Sequence, residues 1–145
     1  HVASSHGIKV VADLMLDDAD LASYAVVFLP GGMPGTLRLK ENAQVRAEVL
    51  RRAEASLKLA AICAAPSILA ELGVLEGRRA TANPGFMDAL SAGGAQAQSE
   101  CVVVDGNIVT SRGAGTALEL GLELVRQLLG DEAAQQVRES IVWQH

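Results

Sequence analysis

The chain is poor in aromatic rings, in cysteine and in positive charge, and each scarcity excludes something. Only four of its 145 residues are Phe, Trp or Tyr, while half are hydrophobic. The interior must therefore be built from Ala, Val, Leu and Ile, a composition that excludes a disordered chain. Two cysteines, Cys63 and Cys101, with no CxxC spacing, exclude a disulfide scaffold and read as reduced, buried thiols of a cytoplasmic protein, Cys101 above all. Three histidines placed at the two ends, His1, His6 and His145, do not complete a structural zinc site with two cysteines, and no metal or other cofactor is expected. A net charge of −5 with no long basic run argues against a nucleic-acid partner. No apolar run approaches the roughly 20 residues needed to cross a membrane, and the first six residues have no signal-peptide pattern. The length suits one domain, residues 1–145, around one core.

What is present is an alternation of strand-like and helix-like pieces. Residues 25–29 form a continuous apolar run closed by Pro30-Gly31-Gly32, which reads as a strand buried on both faces. Leu37, Val45, Val49 and Leu50 then recur at helical spacing, with charges on the other face. Residues 57–62 are the next buried strand, and Pro66 stands where a helix begins that ends at Gly73. Asn83-Pro84-Gly85 is a turn signal, and Asp105-Gly106-Asn107 between two apolar runs is a β-hairpin. A long amphipathic helix spans residues 117–129, and a last one spans residues 132–138. This order predicts a doubly wound, mostly parallel α/β sheet. Such sheets carry their sites at the carboxyl ends of the strands, where three segments converge: Pro30-Gly31-Gly32, Cys63-Ala64-Ala65 and Gly113-Ala114-Gly115.

The sharpest local signal is Ala61-Ile62-Cys63-Ala64-Ala65-Pro66. A buried strand runs into a helix with a polarizable nucleophile at the junction. The small residues two before and two after it permit the tight turn of a nucleophile elbow. The positive end of a helix dipole favours an anion at that position, and the N–H of Ala64 is a donor toward it. Two glycines after the preceding strand let a second backbone N–H, that of Gly32, approach a reacting oxygen. On spacing alone a small core-filling cysteine and a simple turn fit equally well. Ser111-Arg112-Gly113-Ala114-Gly115-Thr116 could hold an anion at a helix start, but reads best as close backbone packing with Thr116 as N-cap.

The segments Val27-Phe28-Leu29-Pro30-Gly31-Gly32, Ala60-Ala61-Ile62-Cys63-Ala64-Ala65-Pro66 and Val109-Thr110-Ser111-Arg112-Gly113-Ala114-Gly115-Thr116 resemble, in order and separation, the ThiJ/PfpI superfamily, most closely its DJ-one-like branch. The resemblance runs over residues 2–142. It implies a flavodoxin-like fold of the class I glutamine amidotransferase type, a homodimer, and an oxidation-prone Cys63 with oxyanion donors from Gly32 and Ala64. It also implies a pocket drawn from Gly31, Asn83, Pro84, Ser111, Arg112 and Gly113. The family begins with a strand, a helix carrying a catalytic glutamate, and a second strand, roughly 40–50 residues or one βαβ unit. No residue here can be assigned that glutamate, so a separate N-terminal fragment produced by nicking is expected as a partner. Asn83-Pro84 stands where many members have His-Pro. An amide cannot act as a general base at neutral pH, which argues against a Cys-His hydrolase and against PfpI-type protease activity.

Two functions follow from the resemblance. One is a cysteine-dependent glyoxalase or deglycase acting on methylglyoxal, glyoxal or their protein adducts, in carbonyl and oxidative stress defence. The other is a non-catalytic redox sensor or stress chaperone that works through oxidation of Cys63. A glutamine amidotransferase would need a late histidine, and the only late one is His145.

Overall fold

The fold is taken from a computed structural model, which describes residues 1–144; His145 lies outside the described residues. Eight strands and six α-helices are present among the described residues. The central sheet has four strands, β3 (Val26–Leu29), β4 (Lys58–Ile62), β8 (Ile108–Ser111) and β7 (Val102–Asp105), in the spatial order β3-β4-β8-β7. Strand β4 runs parallel to both neighbours, and β7 pairs antiparallel with β8 as the hairpin. Two short ribbons stand outside this sheet: β1 (Val2–Ala3) with β2 (Lys9–Val10), antiparallel, and β5 (Arg79–Ala80) with β6 (Gln96–Ala97), parallel.

Successive side chains of a strand point to opposite faces, and β4 divides its residues accordingly. Leu59 and Ala61 pack with Val45 and Val49 of α2 (Ala43–Glu54), Ile68 and Leu69 of α3 (Pro66–Glu71) and Leu90 of α4 (Met87–Ala92). Ala60 and Ile62 pack on the other face with Val109 and with Leu120 of α5 (Ala117–Leu129). Helix α6 (Asp131–Ser140) lies against α5. Helices on both faces of a mostly parallel sheet make this a flavodoxin-like α/β fold.

Two expectations are corrected. The single helix read after Gly32 is two, α1 (Gly35–Glu41) and α2, because the Asn42 side chain accepts from Val45 N–H and starts a new helix. The strand of residues 25–29 is not buried on both faces. Among the described residues β3 pairs with β4 alone, so its outer edge is free, and Phe28 at its centre is 44% exposed.

At the amino end of β4 the aliphatic core holds one charged group. Arg52 is fully buried, and its guanidinium donates to Glu48 and to the carbonyls of Leu21, Tyr24, Ala25 and Lys58. It ties the loop before β3 to α2 and β4. Arg51, forked on the same carboxylate, and then Arg52 hold the Glu48 pKa below the usual carboxylate value against the opposing effect of burial.

At the carboxyl end the backbones of β3 and β4 nearly touch. A Cβ at Gly31 would stand 2.6 Å from Cys63 Cβ and 2.7 Å from the Ile62 carbonyl oxygen, so only glycine fits there. Gly35, four residues on, has nothing within 4 Å of the same position.

Arg52→Ala leaves Glu48 with Arg51 alone and strands four carbonyls in the interior, and should lower unfolding free energy by about 3–5 kcal/mol; an unchanged urea midpoint would refute the anchoring role. Gly31→Ala should cost about 1–3 kcal/mol through overpacking while Gly35→Ala costs far less, and equal urea midpoints for the two variants would show that the close approach does not matter.

Candidate active site

Cys63 sits between β4 and α3 with φ of +66°, a left-handed conformation that a non-glycine residue adopts only when its surroundings impose it, at a cost of about 1–3 kcal/mol. The surroundings are visible. Its N–H donates to the Ser111 carbonyl at 3.0 Å, its carbonyl accepts from Asn83 N–H at 2.9 Å, and Ala65 N–H returns to the Ile62 carbonyl at 3.1 Å. Ala64 and Ala65 are buried, and Pro66 opens α3 at its first position, where no N–H is needed. The turn thus has the shape of a nucleophile elbow, and neither cysteine is buried as expected: Cys63 is partly exposed in the turn and Cys101 is exposed at the start of the hairpin.

Gly31 lies against this elbow and Gly32 follows with φ of +89°. Thr36 fixes that peptide, since its N–H and its hydroxyl both donate to the Gly32 carbonyl, at 2.9 and 2.8 Å. With the carbonyl held by α1, the N–H groups of the turn are left over. Among the described residues neither Gly32 N–H nor Ala64 N–H has a hydrogen-bond acceptor. A cavity of about 490 Å³ opens here, lined by Gly31, Gly32, Cys63 and by Phe28, Leu120 and Leu124 among others.

The remaining sequence-derived residues split into two groups. Asn83 and Pro84 lie beside the elbow. Asn83 Oδ1 accepts from Gly85 N–H at 3.1 Å, which leaves its NH₂ group unpartnered, about 3.8 Å from where a Gly113 Cβ would be. Ser111 and Arg112 are engaged in holding loops. The buried Ser111 hydroxyl donates to the Cys101 carbonyl at 2.6 Å and meets Thr116 Oγ1 at 2.7 Å. The Arg112 guanidinium donates to the carbonyls of Ala82 and Ser99, so its charge fastens this loop to the strand before Asn83. Thr116 stands at the expected N-cap position of α5, but its side chain works elsewhere. Its Oγ1 accepts from Arg112 and Gly113 N–H, closing the turn behind it, and makes no cap bond into α5.

Sequence reasoning missed Thr36, whose signal was its position four residues after Gly32, and the lining contributed by Phe28 and α5. Gly121, in the middle of α5, was the readable sign there: a glycine inside a helix costs stability, and nothing lies within 4 Å of a Cβ added to it. Among the described residues no group of His, Cys, Asp or Glu is placed to hold a metal ion, and no helix is long and apolar enough to cross a membrane.

This geometry can be set beside known proteins. The sequence pattern of the DJ-1/PfpI family matches residues 1–127. Protein DJ-1 homolog A of Arabidopsis thaliana is 43% identical over 138 residues, 94% of this chain and 35% of the relative. The Parkinson disease protein 7 homolog of Danio rerio is 40% identical, over 97% of this chain and 76% of the relative. The crystal structure of Drosophila melanogaster DJ-1beta superposes with a TM-score of 0.91 at 32% identity, covering 97% of this chain and 76% of that one. Two further relatives carry activity names: the glutathione-independent glyoxalase DJR-1.2 of Caenorhabditis elegans, 30% identical over 90% of this chain and 69% of its own length, and the deglycase PYRAB04690 of Pyrococcus abyssi, 36% identical over 88% and 76%. The chain spans about a third of the two Arabidopsis relatives it matches, DJ-1 homologs A and B. With the family pattern over most of its length and an animal relative matched over three quarters of its own, the chain belongs to the DJ-1/PfpI family.

Proposed function

We propose that the chain is the greater part of a single catalytic domain, a cysteine-dependent glyoxalase or deglycase acting on methylglyoxal, glyoxal or their early protein adducts, in carbonyl and oxidative stress defence. The observation that carries this reading is the pairing of a strained, partly exposed Cys63 with two backbone N–H groups, of Gly32 and Ala64, that have no other acceptor. The Cys63 thiolate adds to the aldehyde carbon, the carbonyl electron pair moves to oxygen, and a hemithioacetal forms. The two N–H groups hold the developing alkoxide. The free NH₂ of Asn83 donates to a second substrate oxygen, the role an amide can fill where a base is absent. The glyoxalase and deglycase names among the relatives support the same chemistry.

The proton shuttle is a carboxylate on a separate N-terminal segment. The free edge of β3 supports this, since an unpaired parallel strand edge is a template for another strand, and the exposed Phe28 is the apolar surface such a segment would cover. Exposed Val2, Ile8, Val10 and Val11 on the β1–β2 ribbon support a homodimer. The two free cysteines fit a cytoplasmic location. A second reading, a redox sensor in which Cys63 is oxidised to the sulfinic acid on the same donors, is favoured by Asn83, which supplies no general base.

Steady-state conversion of methylglyoxal should be present in the wild type and fall at least about a thousandfold in Cys63→Ser, about 4 kcal/mol of barrier; conversion that survives the substitution refutes the enzyme, and a peroxide-driven gain of two oxygens at Cys63 without any turnover establishes the sensor. The intact mass of the folded sample under denaturing, non-reducing conditions should show a second species of a few kilodaltons beside the 15.1 kDa chain; one species alone refutes the fragment.

A further inference from the structure

We propose that Arg38 is a specificity residue for the anionic end of the substrate, so that the site prefers aldehydes carrying a phosphate or carboxylate a few bonds from the carbonyl. The inference rests on the aldehyde reading of Cys63. Its evidence is a second cavity of about 740 Å³ between the β1–β2 ribbon and the start of α1, lined by Ser4, Ser5, Gly31, Gly32, Gly35 and Arg38 among others. Gly31 and Gly32 line the Cys63 cavity as well. The turn that carries the Gly32 donor is therefore the wall between the two, and a ligand bound at Cys63 that extends across the turn enters the second cavity.

The charge state of that cavity is unusual in this chain. Every other arginine is engaged, from Arg52 in the interior to Arg46 on the Lys40 carbonyl. Among the described residues the Arg38 guanidinium makes neither a hydrogen bond nor an ion pair. No carboxylate lines the cavity to neutralise it. Side chains of a helix lean toward its N-terminus, and Arg38, one turn after Gly35, lines the same cavity as the Gly31–Gly32 turn. Two hydrogen bonds from Thr36 to the Gly32 carbonyl fix α1 to that turn, so the backbone that carries Arg38 is held against the turn that carries the Gly32 donor. Ser4 Oγ accepts from His6 and Ile8 N–H, which leaves its own proton free to donate. A fork of guanidinium N–H groups with one hydroxyl matches a phosphate or carboxylate. In a chain of net charge −5 an anionic substrate has no general attraction to the surface, and a local cation is what admits it.

The test compares hydroxypyruvaldehyde with its phosphate ester, using the full chain. The wild type should process the ester with kcat/KM at least about tenfold higher. Arg38→Ala should bring the ratio to about one through KM, with kcat and the neutral substrate unchanged, and Arg38→Lys should recover part of it. Equal preference in the wild type, or loss on both substrates alike in Arg38→Ala, overturns the proposal. A second readout needs no turnover: 3-phosphoglycerate should slow alkylation of Cys63 by iodoacetamide in the wild type and not in Arg38→Ala. Protection in a chain that converts neither aldehyde upholds the anion subsite and sinks the aldehyde reading. No protection in an active chain sinks the subsite alone.

Discussion

The structure turns on one contact, the backbone of Gly31 against the elbow at Cys63. Two neighbouring parallel strands end side by side, and the chain at the end of β3 passes so close to the end of β4 that no side-chain atom fits between them. That closeness holds Cys63 in a left-handed conformation without a glycine and gathers four loops around one sulfur, through the Ser111 carbonyl, the Asn83 N–H and the Gly31–Gly32 turn. It also leaves the N–H groups of Gly32 and Ala64 with nothing to bond. Strain and unmet donors occur together because the same tight packing causes both, and such strain is characteristic of functional sites.

Holding the carboxyl ends that close requires the amino ends to be rigid, and here the scarcity of aromatic residues matters. An interior of Ala, Val, Leu and Ile packs closely but has few large side chains to lock loops in place. Arg52 supplies the lock. One guanidinium satisfies four carbonyls and a carboxylate, doing for the loop before β3 what a buried ring would do by shape. A buried charge is tolerable because every donor direction has an acceptor, which is the condition under which burial of an ion does not unfold its host.

Much of this was legible in the sequence where a single physical rule decided the outcome. Apolar runs closed by Gly or Pro marked β3 and β4, and the Asp105-Gly106-Asn107 hairpin and the end of α5 at Gly130 fell where turn chemistry put them. The elbow was readable because small residues flank Cys63 on both sides. What stayed hidden depended on partners distant in sequence. Nothing local says that Arg52 bonds to Leu21 and Tyr24, roughly 30 positions away. Nothing beside the Gly-rich loop says that the Arg112 guanidinium is held by the Ala82 and Ser99 carbonyls, 30 and 13 positions away. The apolar periodicity from Leu37 to Leu50 runs through Asn42 and hides the helix start that its side chain makes on Val45 N–H.

The misreading of β3 is the most informative of these, because the sequence rule behind it is sound. A continuous apolar run belongs in a strand covered on both sides. Residues 26–29 obey that composition, yet among the described residues β3 has one neighbour and Phe28 is half-exposed at the mouth of the Cys63 cavity. Across the same cavity Gly121 interrupts a helix at a point where a side chain would meet nothing. A strand too apolar for its edge position and a helix too thin for its own packing face each other beside Cys63. Each is a departure from what close packing would need, and the proposed N-terminal segment, pairing with β3 and packing over α5 at Gly121, would account for both. The cavity between Phe28 and α5 is also the side from which the proposed carboxylate would reach the thiol.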